Sequence, residues 1–183
     1  MSTRPTPPAT PRPLTGLPTN QDLDPTRLRE AFGIFPSGVV AVAAEVDGRY
    51  VGLAASSFTS VSLEPPLVSF SIANTSKTWP DLRRAGRLGV SVLADHHDRT
   101  CRQLAGPVAD RFSGVPVVVG EEGAVTVGDA LARFECSLHR EVVAGDHTIV
   151  LLRLHVVEHA AYDDSGSPLV FHRSGFGSMA VTG

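Results

Sequence analysis

The chain has 183 residues, 42% of them hydrophobic and 19% charged, with a formal net charge of −3; this is enough apolar material for one packed domain and too little charge for global disorder or for a polyanion-binding surface. Its 16 cationic residues are all arginine except Lys77, and no glycine-rich run leads into that lysine, which excludes a Walker A loop. No apolar stretch approaches the roughly 18–20 residues of a membrane span, the start Met1-Ser2-Thr3-Arg4-Pro5 has no signal-peptide core, and Cys101 and Cys136 are too far apart for a metal knuckle or redox dithiol, so they read as buried free thiols of a cytoplasmic protein.

Seven of the 14 prolines fall at or before Pro25, and up to Gln21 the only large aliphatics are Leu14 and Leu17. Residues 1–22 are therefore expected to form a disordered Pro-rich tail ahead of one domain at 23–183. Asp24-Pro25 is a helix start, with Leu28, Ala31 and Phe32 as its apolar face and Gly33 as its end. Val39–Val46 and Tyr50–Phe58 flank Asp47-Gly48 as a β-hairpin. Strands follow at Leu67–Ala73 and Leu88–Ala94, with a short helix at Trp79–Ala85 between them and another at Asp98–Ala105 after them. Val118-Val119 and Val125–Val127 read as short strands. Two long strands, Ala132–Val143 and His147–His159, join at Ala144-Gly145-Asp146. Strands outnumber helices and come in hairpins, so the expected fold is mainly β, an antiparallel barrel with a few short helices. A doubly wound sheet is disfavoured because no Gly-x-Gly-x-x-Gly follows a strand.

Hydrolase signatures are absent: there is neither a Gly-x-Ser-x-Gly elbow nor a His-Glu-x-x-His pair. Asp95-His96-His97-Asp98 resembles a metal cluster, but consecutive side chains diverge. It reads better as a solvated turn with Asp95 or Asp98 as helix N-cap, and no metal is expected. Two clusters carry more chemistry. Ala54-Ala55-Ser56-Ser57-Phe58 places hydroxyls beside small residues, which lets a flat ligand approach a strand closely. Asn74-Thr75-Ser76-Lys77-Thr78 leaves a strand and enters a helix, as a phosphate cradle does. Taken alone, each cluster reads more readily as ordinary turn and cap chemistry than as a ligand site.

Five blocks together resemble the flavin reductase-like family, the NAD(P)H:flavin oxidoreductases of two-component monooxygenases. They are Phe35-Pro36-Ser37-Gly38-Val39, Gly52 to Phe58, Ser62 to Val68, Gly145 to Val150, and Pro168 to Arg173. The resemblance covers about Leu28 to Gly177. It implies an FMN-binding split β-barrel, antiparallel and Greek-key-like, and a homodimer. It further implies hydride transfer from NADH, in preference to NADPH, to FMN or FAD, with reduced flavin supplied to a partner monooxygenase. By resemblance, Pro36, Ser37, Gly38, Val39 and Ala54, Ala55, Ser56, Ser57, Phe58 line the isoalloxazine. Asn74, Thr75, Ser76, Lys77 and Thr78 face the ribityl chain and phosphate, and Arg111-Phe112 belongs to a loop that approaches the flavin phosphate or adenylate. Asp146 and His147 form the nicotinamide-side turn, His147 orienting the nicotinamide without shuttling a proton. Phe171, His172 and Arg173 close over NADH, although Arg173 reads equally as a solvated charge.

The sequence departs from the family at Ala54, where relatives commonly carry threonine, at Ser91, where they carry asparagine, at His96 or His97 in place of a glutamine, and at Phe171 in place of tyrosine. A flavin-binding split barrel without turnover, serving as an electron carrier or sensor, is the alternative. The Gly145-Asp146-His147 and Phe171-His172-Arg173 blocks favour the enzyme, because a binder needs no nicotinamide site.

Overall fold

The computed structural model describes residues 23–159 and 166–179. The segment 1–22, expected to be a tail, lies outside them. Helix α1 (Pro25–Phe32) starts where predicted: the Asp24 carboxylate accepts from the amides of Thr26 at 2.8 Å and Arg27 at 3.1 Å. Its apolar face is not buried as the pattern implies. Leu28 is half-covered, while Phe32 and the following Ile34 and Phe35 stand exposed.

The strands are β1 (Ser37–Gly38), β2 (Val40–Val46), β3 (Arg49–Ala55), β4 (Thr59–Leu63), β5 (Pro66–Ala73), β6 (Leu88–Val92), β7 (Val117–Val119), β8 (Val125–Val127), β9 (Ala132–Ala144), β10 (His147–His159), β11 (Leu169–His172) and β12 (Gly175–Ser178). Helices α2 (Trp79–Leu82) and α3 (Asp98–Leu104) interrupt them. Seven strands form one antiparallel sheet in the order β3-β2-β6-β9-β10-β5-β4, which curls without closing and leaves β3 and β4 as its edges. This is the split barrel the sequence implies. A small sheet, β1-β11-β12, lies beside it.

The β2–β3 hairpin turns at Asp47 (φ 51°) and Gly48 (φ 71°), the left-handed pair that a two-residue turn of matching twist requires. Strand β2 is buried on both faces, which is why it reads as a nearly unbroken apolar run. One face joins Phe70, Leu88, Val90, Val150 and Leu152 inside the curl. The other joins Leu93, Cys101, Leu104 and Leu169, under α3 and β11. Strand β8 crosses so close to β6 that the Val125 backbone fills the space a Cβ on Gly89 would need.

The strand expected over Tyr50–Phe58 ends at Ala55. Ser57 breaks it, its Oγ accepting from Ser71 N at 2.9 Å and donating to Ser71 O at 3.1 Å. The chain resumes as β4, a separate strand that the continuous hydroxyl pattern conceals.

Candidate functional site

Small residues open the site. Ala54 and Ala55 at the end of β3, with Ser56 just beyond it, border a cavity of about 200 Å³ together with Val39, Cys101, Ala105, Phe171 and Phe176. The pairing of β1 with β11 puts Ser37 opposite Phe171 and Gly38 opposite Val170, so the Pro36–Val39 block and the C-terminal block meet here despite their separation in sequence. Phe171 and Phe176 pair across the β11–β12 hairpin with ring centroids 5.4 Å apart. Arg102 of α3 lies 4.8 Å over the Phe176 ring, a cation–π contact that pins the hairpin.

The cavity lies at the free edge of β3. Gly52 O faces away from β2, since it accepts from Arg111 Nη1 at 2.7 Å. In an antiparallel strand the backbone groups of alternate residues point the same way. Ala54 therefore presents its amide and carbonyl along the same open edge, as donors and acceptors for a ligand in the slot.

At the next position along that edge stands Arg111. Its Nε donates to Gly106 O at 3.0 Å, and Nη1 reaches Thr78 Oγ1 at 2.9 Å as well as Gly52 O. No carboxylate among the described residues pairs with it, and burial draws its pKa down from the usual range. Thr78 is buried, and Ser76 Oγ accepts from the amides of Thr78 (3.3 Å) and Trp79 (3.2 Å), so Ser76 caps α2. Thr75 and Lys77 are exposed on the same turn.

Other expected contacts are spent elsewhere. Both ends of the Asn74 amide serve the β9–β10 turn: Nδ2 donates to Gly145 O at 3.1 Å, and Oδ1 accepts from Thr148 Oγ1 at 2.8 Å. Ser57 is committed to Ser71. Phe58 packs towards the barrel core and stacks on Phe134 with centroids 6.1 Å apart, so it does not border the slot. Phe112 lies over Gly52, its Cζ only 2.6 Å from where a Cβ would stand, and acts as a wall. Ser91 is fully buried and accepts from Val127 N at 2.9 Å.

At the β9–β10 turn, His147 Nδ1 is 2.8 Å from Asp146 Oδ1. That hydrogen bond and the imidazole, with a smaller contribution from Arg29, hold the Asp146 carboxyl below its ordinary range. Arg173 (φ 48°) and Ser174 (φ 62°) form the β11–β12 turn, and Arg173 N donates to Gly33 O at 2.8 Å. His172 borders a shallow cavity with Pro36 and Phe176, and Arg173 borders another with Arg29 and Ile34. His147 borders neither of these two cavities.

His96 and His97 converge with Asp129, which lies far along the chain, and the three ligand atoms stand within 4.8 Å of one another. Neither Asp95 nor Asp98 caps the turn as expected. Instead buried His97 accepts the Ala94 amide on Nδ1 at 3.0 Å. Its proton then sits on Nε2, 2.9 Å from Asp129 Oδ1, and His96 Nε2 is 3.1 Å from Oδ2. The nitrogen facing the trio's centre is a donor, so the cluster is a hydrogen-bonded brace. It secures the junction where Leu169 N meets Leu93 O and β11 begins.

The slot residues that the sequence reading missed are Cys101, Ala105 and Phe176. Phe176 had a signal in Gly175-Phe176-Gly177, an aromatic between glycines opposite Phe171. The chain belongs to the flavin reductase-like family, whose domain model matches residues 32–180. It is 38% identical over 160 residues to a flavin reductase of Pseudomonas putida, covering 87% of this chain and 92% of that protein. It is 36% identical over 150 residues to the reductase component of a Thermus thermophilus 4-hydroxyphenylacetate 3-monooxygenase, covering 81% and 92%. Among solved structures it resembles an NADH:FAD oxidoreductase of Streptomyces globisporus in complex with NAD and FAD fragments, at TM-score 0.79 and 34% identity, covering 86% and 93%. No helix among the described residues is long and apolar enough to cross a membrane.

Proposed function

We propose that this chain is an NADH-dependent flavin reductase that binds FMN or FAD at the open edge of β3 and supplies reduced flavin to a partner monooxygenase. The observation that carries this reading is the guanidinium of Arg111, held without a carboxylate one step along the strand from a slot walled by Ala54–Ser56, Phe171 and Phe176. The donor set fits a flavin: an apolar, aromatic-walled slot for a ring, a backbone edge for its polar rim, and a cationic, hydroxyl-lined turn for its phosphate.

When bound, the flavin supplies the hydride-accepting ring atom, and no protein acid or base is required. The chain's own residues provide geometry. Ala54 would let a ring approach the strand, and its backbone amide would serve as a donor to the ring's polar rim. Phe171 and Phe176 exclude water from one side of the slot. Arg111, Thr78 and Lys77 would hold the phosphate. The Asp146 carboxylate fixes the His147 ring with Nδ1–H towards it, leaving Nε2 as acceptor for the nicotinamide nucleotide. Arg173 would contact the dinucleotide phosphates.

The exposed apolar residues Phe32, Ile34, Phe35, Leu63 and Val143 support a homodimer in which a second copy covers them. Two buried free cysteines suit the cytoplasm. The test is NADH loss at 340 nm with FMN, FAD and riboflavin added in turn. Flavin-dependent oxidation is expected; absence of turnover with all three, despite flavin binding, assigns the chain to the non-reductase binders.

A further inference from the structure

The slot wall formed by Phe176 is the one that its own strand holds least. Phe176 lies on β12, the outer strand of the small sheet, which pairs with β11 on one side and with no described strand on the other. Its neighbours are Gly175 and Gly177. A Cβ on Gly177 would meet nothing within 4 Å, and one on Gly175 would meet only His172 O at 3.5 Å. No flanking side chain therefore anchors the strand at this point. The ring also borders two cavities, the slot of about 200 Å³ and the outer one of about 370 Å³ beside Pro36 and His172. Its placement decides whether the slot stays closed on that side.

Two groups place the ring. Phe171 meets it across the hairpin, with centroids 5.4 Å apart and the planes at 56°. Arg102 covers it from α3, the guanidinium carbon 4.8 Å from the ring centroid. Helix α3 thus serves the slot twice. Cys101 and Ala105, one turn apart, line it, while Arg102, next to Cys101, reaches over the hairpin. No ion pair or hydrogen bond among the described residues engages the Arg102 guanidinium. Asp98, one turn earlier, accepts instead from the Arg99 amide at 2.7 Å. A guanidinium without a carboxylate keeps its charge for the ring, and its planar group suits a π face.

We propose that Arg102 is a positioning residue of the flavin slot and acts through Phe176, fixing the wall that β12 alone leaves loose. The assignment rests on the flavin reading above and adds to it a residue that does not border the slot. Because Arg102 acts on the wall against the ring, its effect is the same whatever follows the ribityl chain. A cation that held the flavin directly would act on the phosphate instead.

The test measures dissociation constants of riboflavin, FMN and FAD by equilibrium ultrafiltration with the full chain and its Arg102→Met, Arg102→Lys, Phe176→Leu and Arg102→Met/Phe176→Leu variants. Arg102→Met keeps the packed stem and removes the charge. It is expected to weaken all three flavins by one common factor of roughly 2- to 30-fold. Arg102→Lys, which keeps the charge and loses the plane, is expected to fall between it and the wild type. In the Phe176→Leu background Arg102→Met is expected to change nothing further, since no ring is left for the cation to hold. Three results overturn the assignment: unaltered affinity for all three flavins in Arg102→Met, a loss confined to FMN and FAD, or the full loss repeated in the Phe176→Leu background. Failure of the wild type to bind any of the three overturns the flavin reading itself.

Discussion

Replacing Arg111 by alanine separates what this side chain does for the fold from what it does for a ligand. Its three hydrogen bonds, to Gly106 O, Gly52 O and Thr78 Oγ1, brace the 108–113 segment against β3. At about 1 kcal/mol net for each, their loss destabilises the fold by about 2–3 kcal/mol. For a chain of this length that lowers Tm by about 4–12 °C and leaves the protein folded at 20 °C. Towards a phosphate, a hydrogen bond to a charged group contributes about 1.5–3 kcal/mol, which is roughly a 10- to 150-fold change in affinity. Riboflavin has the ring and ribityl chain but no phosphate. Parallel fluorescence titrations should therefore show FMN weakened by that factor in Arg111→Ala and riboflavin unchanged within about twofold. Arg111→Lys should fall between, since it keeps the charge and loses the fork that spans Gly52 O and Thr78. An equal loss for FMN and riboflavin would show that Arg111 only braces the wall, and the phosphate assignment would be wrong.

Three further outcomes follow from the same geometry. His147→Ala should raise the KM for NADH several-fold while the flavin dissociation constant stays put; stopped-flow traces showing the reverse would reject the nicotinamide assignment. Gly89→Ala forces a methyl group into the Val125 backbone, so circular-dichroism melts should show a loss of about 1–3 kcal/mol or more, and an unaltered Tm would contradict the packing of β8 on β6. Burial pushes the Asp129 carboxyl up, but hydrogen bonds from His97 and His96 outweigh it and leave it below the ordinary range. A carboxyl lowered by folding stabilises above its unfolded pKa, and that stability is lost as pH falls through the folded value. The stability difference between wild type and Asp129→Ala should therefore be full near neutrality and shrink below about pH 4, read from urea unfolding at stepped pH.

The fold was legible where periodicity and punctuation agreed. Asp24-Pro25 marked α1, Asp47-Gly48 marked the first hairpin, and the two long strands met at Ala144-Gly145-Asp146, as observed. The brace at Asp129 was not legible, because its partners lie 32 and 33 positions away and nothing local in Gly128-Asp129 marks a contact with His96 and His97. Side-chain allegiance was hidden in the same way. Asn74, Ser57 and Phe58 have the chemistry of a flavin site, yet the structure turns Asn74 to a hairpin, Ser57 to a bend and Phe58 to the core. Local sequence records what a side chain could donate or accept, and only the register of distant strands decides where it is used. Conversely, the Ala54 edge carries no polar side-chain signal at all, and the blocks that resemble the family were needed to find it.

The open margin of β3 carries a lesson about inheritance. A peptide amide is present whatever side chain is written above it, so no single substitution short of proline can erase the Ala54 donor. Substitutions around the groove can thus alter its side chains while leaving that backbone donor in place. An unpaired strand margin is a place where another strand can dock, and here the Arg111 guanidinium on Gly52 O covers part of it.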